Sequence, residues 1–140
     1  MLRIAAALLL ALSFAGTGAA AATIAETAAV KMQFVKPVVL RGTLGGDQIQ
    51  VTLRTKAEFE DGLEGEYFHF GSSQKILMAG EIEGEDLFLE ESVNGTDVSG
   101  QWEGKMAGDV ISGEWQSADG KLSKPFQIRI VRPVGKTANP

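Results

Sequence analysis

One short pattern constrains this chain more than any other feature. An apolar residue is followed by a skipped position, a glycine, another skipped position and a large apolar residue. It occurs as Leu63-Glu64-Gly65-Glu66-Tyr67, Met78-Ala79-Gly80-Glu81-Ile82, Val98-Ser99-Gly100-Gln101-Trp102 and Ile111-Ser112-Gly113-Glu114-Trp115. A weaker copy stands upstream as Leu40-Arg41-Gly42-Thr43-Leu44. Residues two apart share one face of a strand, so each copy places its apolar, glycine and bulky groups on one side. The skipped positions are mostly Glu, Gln, Ser or Arg, which suits a wet opposite face.

Turn signals separate the copies. Gly45-Gly46-Asp47, Glu60-Asp61-Gly62, Gly71 to Gln74, Gly84-Glu85, Asn94-Gly95, Gly108-Asp109 and Asp119-Gly120 bound strands near 38–44, 49–54, 63–70, 75–83, 86–92, 97–106, 110–116 and 121–131. The connections are short, and no segment has helical periodicity. The expected fold is all-β: an eight-stranded antiparallel up-and-down meander, closed into a small barrel over residues 37–132. A sandwich would need longer crossovers. Closure also removes exposed sheet edges, which matters in a chain without cysteine and therefore without disulfides.

The turns set registers. A two-residue turn at Asn94-Gly95 pairs Leu89 with Gly100 and Leu87 with Trp102. A turn at Gly84-Glu85 pairs Ile82 with Leu87 and Gly80 with Leu89. A loop of Gly71 to Gln74 pairs Tyr67 with Met78 and Gly65 with Gly80. All three keep the apolar–glycine–aromatic face together. For Trp102 two registers remain open: opposite Trp115, which a glycine-led type II′ turn at Gly108 favours, or shifted by two so that each ring covers a glycine. Both put the two indoles inside.

The termini read differently. Met1-Leu2-Arg3, an apolar run from Ile4 to Ala15 and the small residues Ala19 to Ala22 make residues 1–22 a secretory signal peptide, with a periplasmic or secreted destination. The apolar run falls short of the ~20 residues a spanning helix needs. Residues 23–36 are expected as an N-terminal arm and 133–140 as a flexible tail. With 13 Lys and Arg against 18 Asp and Glu the net charge is −5, and loss of Arg3 makes it more negative. With no basic cluster, that balance argues against nucleic acid as a partner. Short strands, acidic turns and a final Pro140 argue against an outer-membrane barrel.

Chemistry-bearing residues are few. His69, the one histidine, shares the inner face with Tyr67, and Glu91 joins them opposite Met78. Tyr67, His69, Glu91, Trp102 and Trp115 are the candidate ligand-binding residues of a polar-lined mouth. A hydrolase using Tyr67, His69 and Glu91 is the enzymatic alternative, without a nucleophile motif to support it. The acidic run from Glu81 to Glu91 matches no calcium loop and reads as a solvated face; no metal or other cofactor is expected. Phe68, Phe70, Leu77 and Phe88 fall on the outer face, with Phe68 expected opposite Leu77. Such an apolar patch calls for a covering segment or a partner: the arm at Val30–Val35 with Met32 and Phe34, a second copy in a homodimer, or another protein.

The series Leu63-x-Gly65-x-Tyr67, Met78-x-Gly80, Leu87-x-Leu89-x-Glu91, Gly113-x-Trp115 and Pro125-Phe126-x-Ile128 resembles small exported bacterial β-barrels of the avidin and lipocalin (calycin-like) kind, and more so a set of uncharacterised bacterial periplasmic proteins with the same run. The resemblance spans about residues 38–131 and implies fold. It does not carry a ligand set: Gly42-Thr43-Leu44 lacks the avidin aromatic, and the Gly-x-Trp pairs stand late instead of on the first strand as in lipocalins. The expected function is that of an exported, non-enzymatic binding protein, taking a small apolar ligand in the mouth or a protein partner, for instance as an inhibitor of a secreted or periplasmic enzyme.

Overall fold

The computed structural model describes residues 33–58 and 62–132. Residues 1–22, expected as a signal peptide, the expected arm as far as Met32, the turn segment 59–61 and the expected tail at 133–140 lie outside the described residues. Eight strands follow one another: β1 (Val38–Leu44), β2 (Asp47–Thr55), β3 (Gly62–His69), β4 (Ile76–Glu83), β5 (Asp86–Ser92), β6 (Gly100–Ala107), β7 (Val110–Ser117) and β8 (Ser123–Ile130). Each pairs antiparallel with the next, and β8 returns to β1 to close the barrel. The all-β meander read from the glycine pattern is the fold. No helix among the described residues is long and apolar enough to cross a membrane.

The connections at 45–46, 70–75, 93–99 and 118–122 gather at one end, the loop end. The hairpins at 84–85 and 108–109 lie at the other, where the chain also enters at 33–37 and leaves after Ile130. The inward positions form one continuous core from Leu40 and Ile49 through Tyr67, Met78, Leu89 and Trp102 to Phe126 and Ile128. Its members are almost wholly removed from water, so side chains fill the barrel.

Phe34 corrects an expectation. The arm does not lay Phe34 over the outer aromatics; the ring is 0% exposed and belongs to the core. Its carbonyl accepts the Thr55 N–H at 2.8 Å, fixing the arm across the end of β2. Val38 and Ile130 pack at the same margin of the core. Entering the open end removes the whole ring from water, worth about 1.5–3 kcal/mol, whereas lying on the wall would cover only one side of it.

The registers are partly as expected. Ile82 faces Leu87, Gly80 faces Leu89 and Met78 faces Glu91. Trp102 faces Trp115 through a turn led by Gly108 at φ 59°. The packing argument holds for one ring of the two: the Trp115 ring leans two residues along β6 and lies over Gly100, where an added Cβ would collide with the indole, whereas a Cβ at Gly113 would meet the β6 backbone and not Trp102. Two registers differ from expectation by two residues. In β3–β4, Gly65 pairs with Met78, Tyr67 with Ile76 and Leu63 with Gly80, so Leu77 opposes Glu66 and not Phe68. The loop there takes in Phe70 and Lys75, turning at Gly71 (φ 89°) with the Ser72 N–H on the His69 carbonyl. In β5–β6, Leu89 pairs with Trp102 and Glu91 with Gly100. Asn94 does not adopt the positive φ that a two-residue type I′ turn requires; its Oδ1 instead accepts the N–H groups of Thr96 (2.9 Å) and Asp97 (2.8 Å), folding 93–99 into a self-capped loop. A shift of two preserves the faces, which is why the core assignment survives it.

The outer wall is divided by charge. The outward positions of β3 to β7 carry Glu64, Glu66, Glu81, Glu83, Asp86, Glu90, Glu103 and Glu114, with Lys105 the basic residue among them. Those of β8, β1 and β2 carry Arg129, Arg41 and Arg54. At the seam Arg54 reaches Glu64 at 3.4 Å and Glu66 at 3.5 Å.

Candidate functional site

Just inside the loop end, alternation on β5 sends Glu91 inward with Leu87 and Leu89, and the carboxylate is only 4% exposed. A buried carboxylate needs donors. The Tyr67 hydroxyl on β3 donates to Oε2 at 2.6 Å, and the Trp102 Nε1–H on β6 donates to the same oxygen at 2.9 Å. Ser99 Oγ lies 3.3 Å from Oε1, and the Ser99 N–H donates to the Glu91 carbonyl at 2.8 Å. The register of β5–β6 makes this possible: with Glu91 opposite Gly100, Trp102 is the next inward residue along β6.

The rings around the carboxylate pack edge to face. Tyr67 and Trp102 have centroids 5.1 Å apart at 76°, and Trp102 and Phe126 stand 4.9 Å apart. Burial, then the hydrogen bond to Glu91 and that residue's charge, push the Tyr67 phenol well above its ordinary value of 10.0.

The five inward candidates are therefore not equivalent. Tyr67, Glu91 and Trp102 form one hydrogen-bonded cluster. His69 stacks at 5.7 Å from Tyr67, but its Nδ1 faces Asp47 Oδ2 at 3.6 Å instead of Glu91. Trp115 is half-buried beside Trp102; its Nε1 is shielded and has no hydrogen-bond partner among the described residues, and Lys124 Nζ stands 5.6 Å from its ring centroid. Chemically, Glu91 is a carboxylate occupied by protein donors, and its two strongest bonds come from groups that hold it in place. That arrangement ties β3, β5 and β6 together at one carboxylate. No group of three or more potential metal ligands converges among the described residues.

The outer candidates separate. Phe68 faces Gln50 across the β2–β3 pair and meets Phe70 edge to face at 5.7 Å. Leu77 lies on the shoulder of β4, between Glu66 and Ser92. Phe88 stands apart, toward the far end, between Glu81 and Glu103.

A second feature of the loop end escaped the strand pattern. Of the seven exposed large apolar residues among those described, Phe70, Leu77, Val93, Val98 and Leu122 lie on its loops or strand tips. Leu77 and Val98 also line a cleft of about 420 Å³ beneath the 93–99 loop, with Ala79 between and Arg54, Glu66 and Glu90 around it. Alternation has nothing to say about turn residues. The available signal was compositional: Val93 and Val98 flank a polar turn that gains nothing locally from them. Ser99, Asp47 and Lys124 were likewise not singled out, since each owes its place to a partner elsewhere in the barrel, and Phe126 entered only through the Pro125-Phe126-x-Ile128 run. No protein-family model and no curated protein matches the chain.

Proposed function

We propose that this is an exported, non-enzymatic binding protein that engages a macromolecular partner through the loop end of its barrel. The observation carrying this reading is the apolar rim: Phe70, Leu77, Val93, Val98 and Leu122 exposed together at one end of a barrel whose interior is filled by its own side chains. Exposed apolar groups gathered on loops above a rigid sheet are the usual make-up of a partner surface. The filled interior favours a macromolecule over a small apolar ligand, because Tyr67, Trp102 and Phe126 occupy the mouth that such a ligand would need. The hydrolytic alternative finds less support, since Glu91 is held by Tyr67 and Trp102 while His69 turns to Asp47.

Site-specific photocrosslinking in the source cells tests the reading. A photoreactive residue at Val98 or Leu122 is expected to capture one discrete partner protein, and the same residue at Gln127 on the outward face of β8 is expected not to. Equal capture from all three positions, or a natively purified chain that carries a small molecule and no protein, overturns it.

A further inference from the structure

The barrel wall carries a second surface, remote from the loop end. A cleft of about 500 Å³ opens on the outer face of β4 to β7, near the β4–β5 hairpin. Phe88 stands half-buried in it, with Glu81 directly across one strand boundary and Glu103 across the other. Glu103 in turn opposes Glu114, and Glu83 opposes Asp86. Like charges directly opposed in an antiparallel pair are destabilising. Lys105 is the cation lining the cleft, and it lies 3.4 Å from Asp86. Among the described residues neither Glu81 nor Glu103 has an ion-pair partner.

An aromatic face between two unpaired carboxylates suits a cationic side chain in two ways. The charged head meets both carboxylates and the electron-rich ring face, and the aliphatic stem covers the ring. From this charge complementarity we infer that the Phe88 cleft docks a lysine- or arginine-bearing segment of a partner protein, with one cationic head between Glu81 and Glu103. A second copy of the chain is the weaker occupant. It could offer Arg41 and Arg129, which oppose each other across β1–β8. However, two chains of net charge −5 repel, and a contact between one face and a different face does not close on itself.

The test uses the mature chain and a short fluorescent peptide of arginine and glycine, beside its citrulline counterpart, which keeps the shape and loses the charge. The arginine peptide is expected to bind with an affinity that falls as salt rises, and the citrulline peptide not to bind. Glu81→Gln with Glu103→Gln is expected to weaken binding up to about tenfold, the loss of two exposed ion pairs while the Phe88 ring stays in place. Glu58→Gln with Glu85→Gln, an equal charge change at exposed positions that do not line the cleft, is expected to leave it unchanged. Because removing opposed charges relieves repulsion, the first variant should also unfold at an unchanged or higher denaturant midpoint, which separates lost binding from lost fold. No binding of the arginine peptide, equal binding of the citrulline peptide or equal weakening in both variants overturns the inference. Self-association that Glu81→Gln with Glu103→Gln abolishes assigns the cleft to a second copy, and overturns it too.

Discussion

At one end of the barrel a phenylalanine from outside the sheet, Phe34, is drawn into the core. At the other, a carboxylate, Glu91, is held beneath the donors of Tyr67 and Trp102. Both close the barrel, but they ask different things of the chain. The apolar plug needs volume and little direction, and one backbone bond to Thr55 places it. The polar closure needs every donor aimed, because a buried carboxylate without partners is far more costly than a missing methyl group. In return it fixes geometry. Through Ser99, Glu91 ties down the end of the loop that carries Val93 and Val98, so the end closed by the carboxylate is also the end with the exposed apolar rim.

The contrast can be broken at either end. Phe34→Ala should have the largest effect, a loss of about 3–5 kcal/mol as a large-to-small change in a closed core, read from the urea midpoint. A change below about 1 kcal/mol would mean the plug contributes little and the strands close that end unaided. Glu91→Ala should follow, at about 2–4 kcal/mol, since it orphans the buried Tyr67 hydroxyl and Trp102 N–H together. Glu91→Gln, which retains an acceptor oxygen, should lose clearly less. If the two variants are equally unstable, the charge and not the hydrogen bonding is what that end requires.

The smallest effect sharpens the comparison through pH. Tyr67 is the only tyrosine in the chain, so phenolate absorbance reports it alone. Its folded pKa is raised above the ordinary value of 10.0, so its contribution is fully present below pH 10. As pH rises past that value the unfolded chain ionises and the folded one does not, and stability should fall by up to about 1.4 kcal/mol per pH unit. Phenolate appearing in the folded protein near pH 10 would contradict the burial of that hydroxyl. The same alkaline loss should be absent in Tyr67→Phe and unaltered in Phe34→Ala.

How much of this was legible in the sequence varies with the range of the interaction. The core faces of β3 to β7 follow from alternation and glycine placement, and they hold even where a register moved, because Leu63, Gly65 and Tyr67 keep their side under a shift of two. The registers themselves depend on turn chemistry, and there Asn94 misled: its side chain serves as a cap and its backbone avoids the conformation that Asn-Gly suggests. Glu91, Tyr67 and Trp102 were each legible as inward residues. Their hydrogen bonds were not, since they required the actual β5–β6 register. Phe34 carried no periodic signal, because a single plugging side chain has no period.

The pairing of β1 with β8 has a consequence for how the molecule comes into being. Leu40 finds its partner in Ile130, so the first strand and the last complete each other. A chain that emerges N-terminus first must leave the free edge of β1 waiting until nearly all of it has appeared. This is a long-range contact of the kind that slows folding and leaves intermediates open to association. On that account the vulnerable moment for this protein is its birth, the interval in which β1 has an edge and β8 has not yet arrived to cover it.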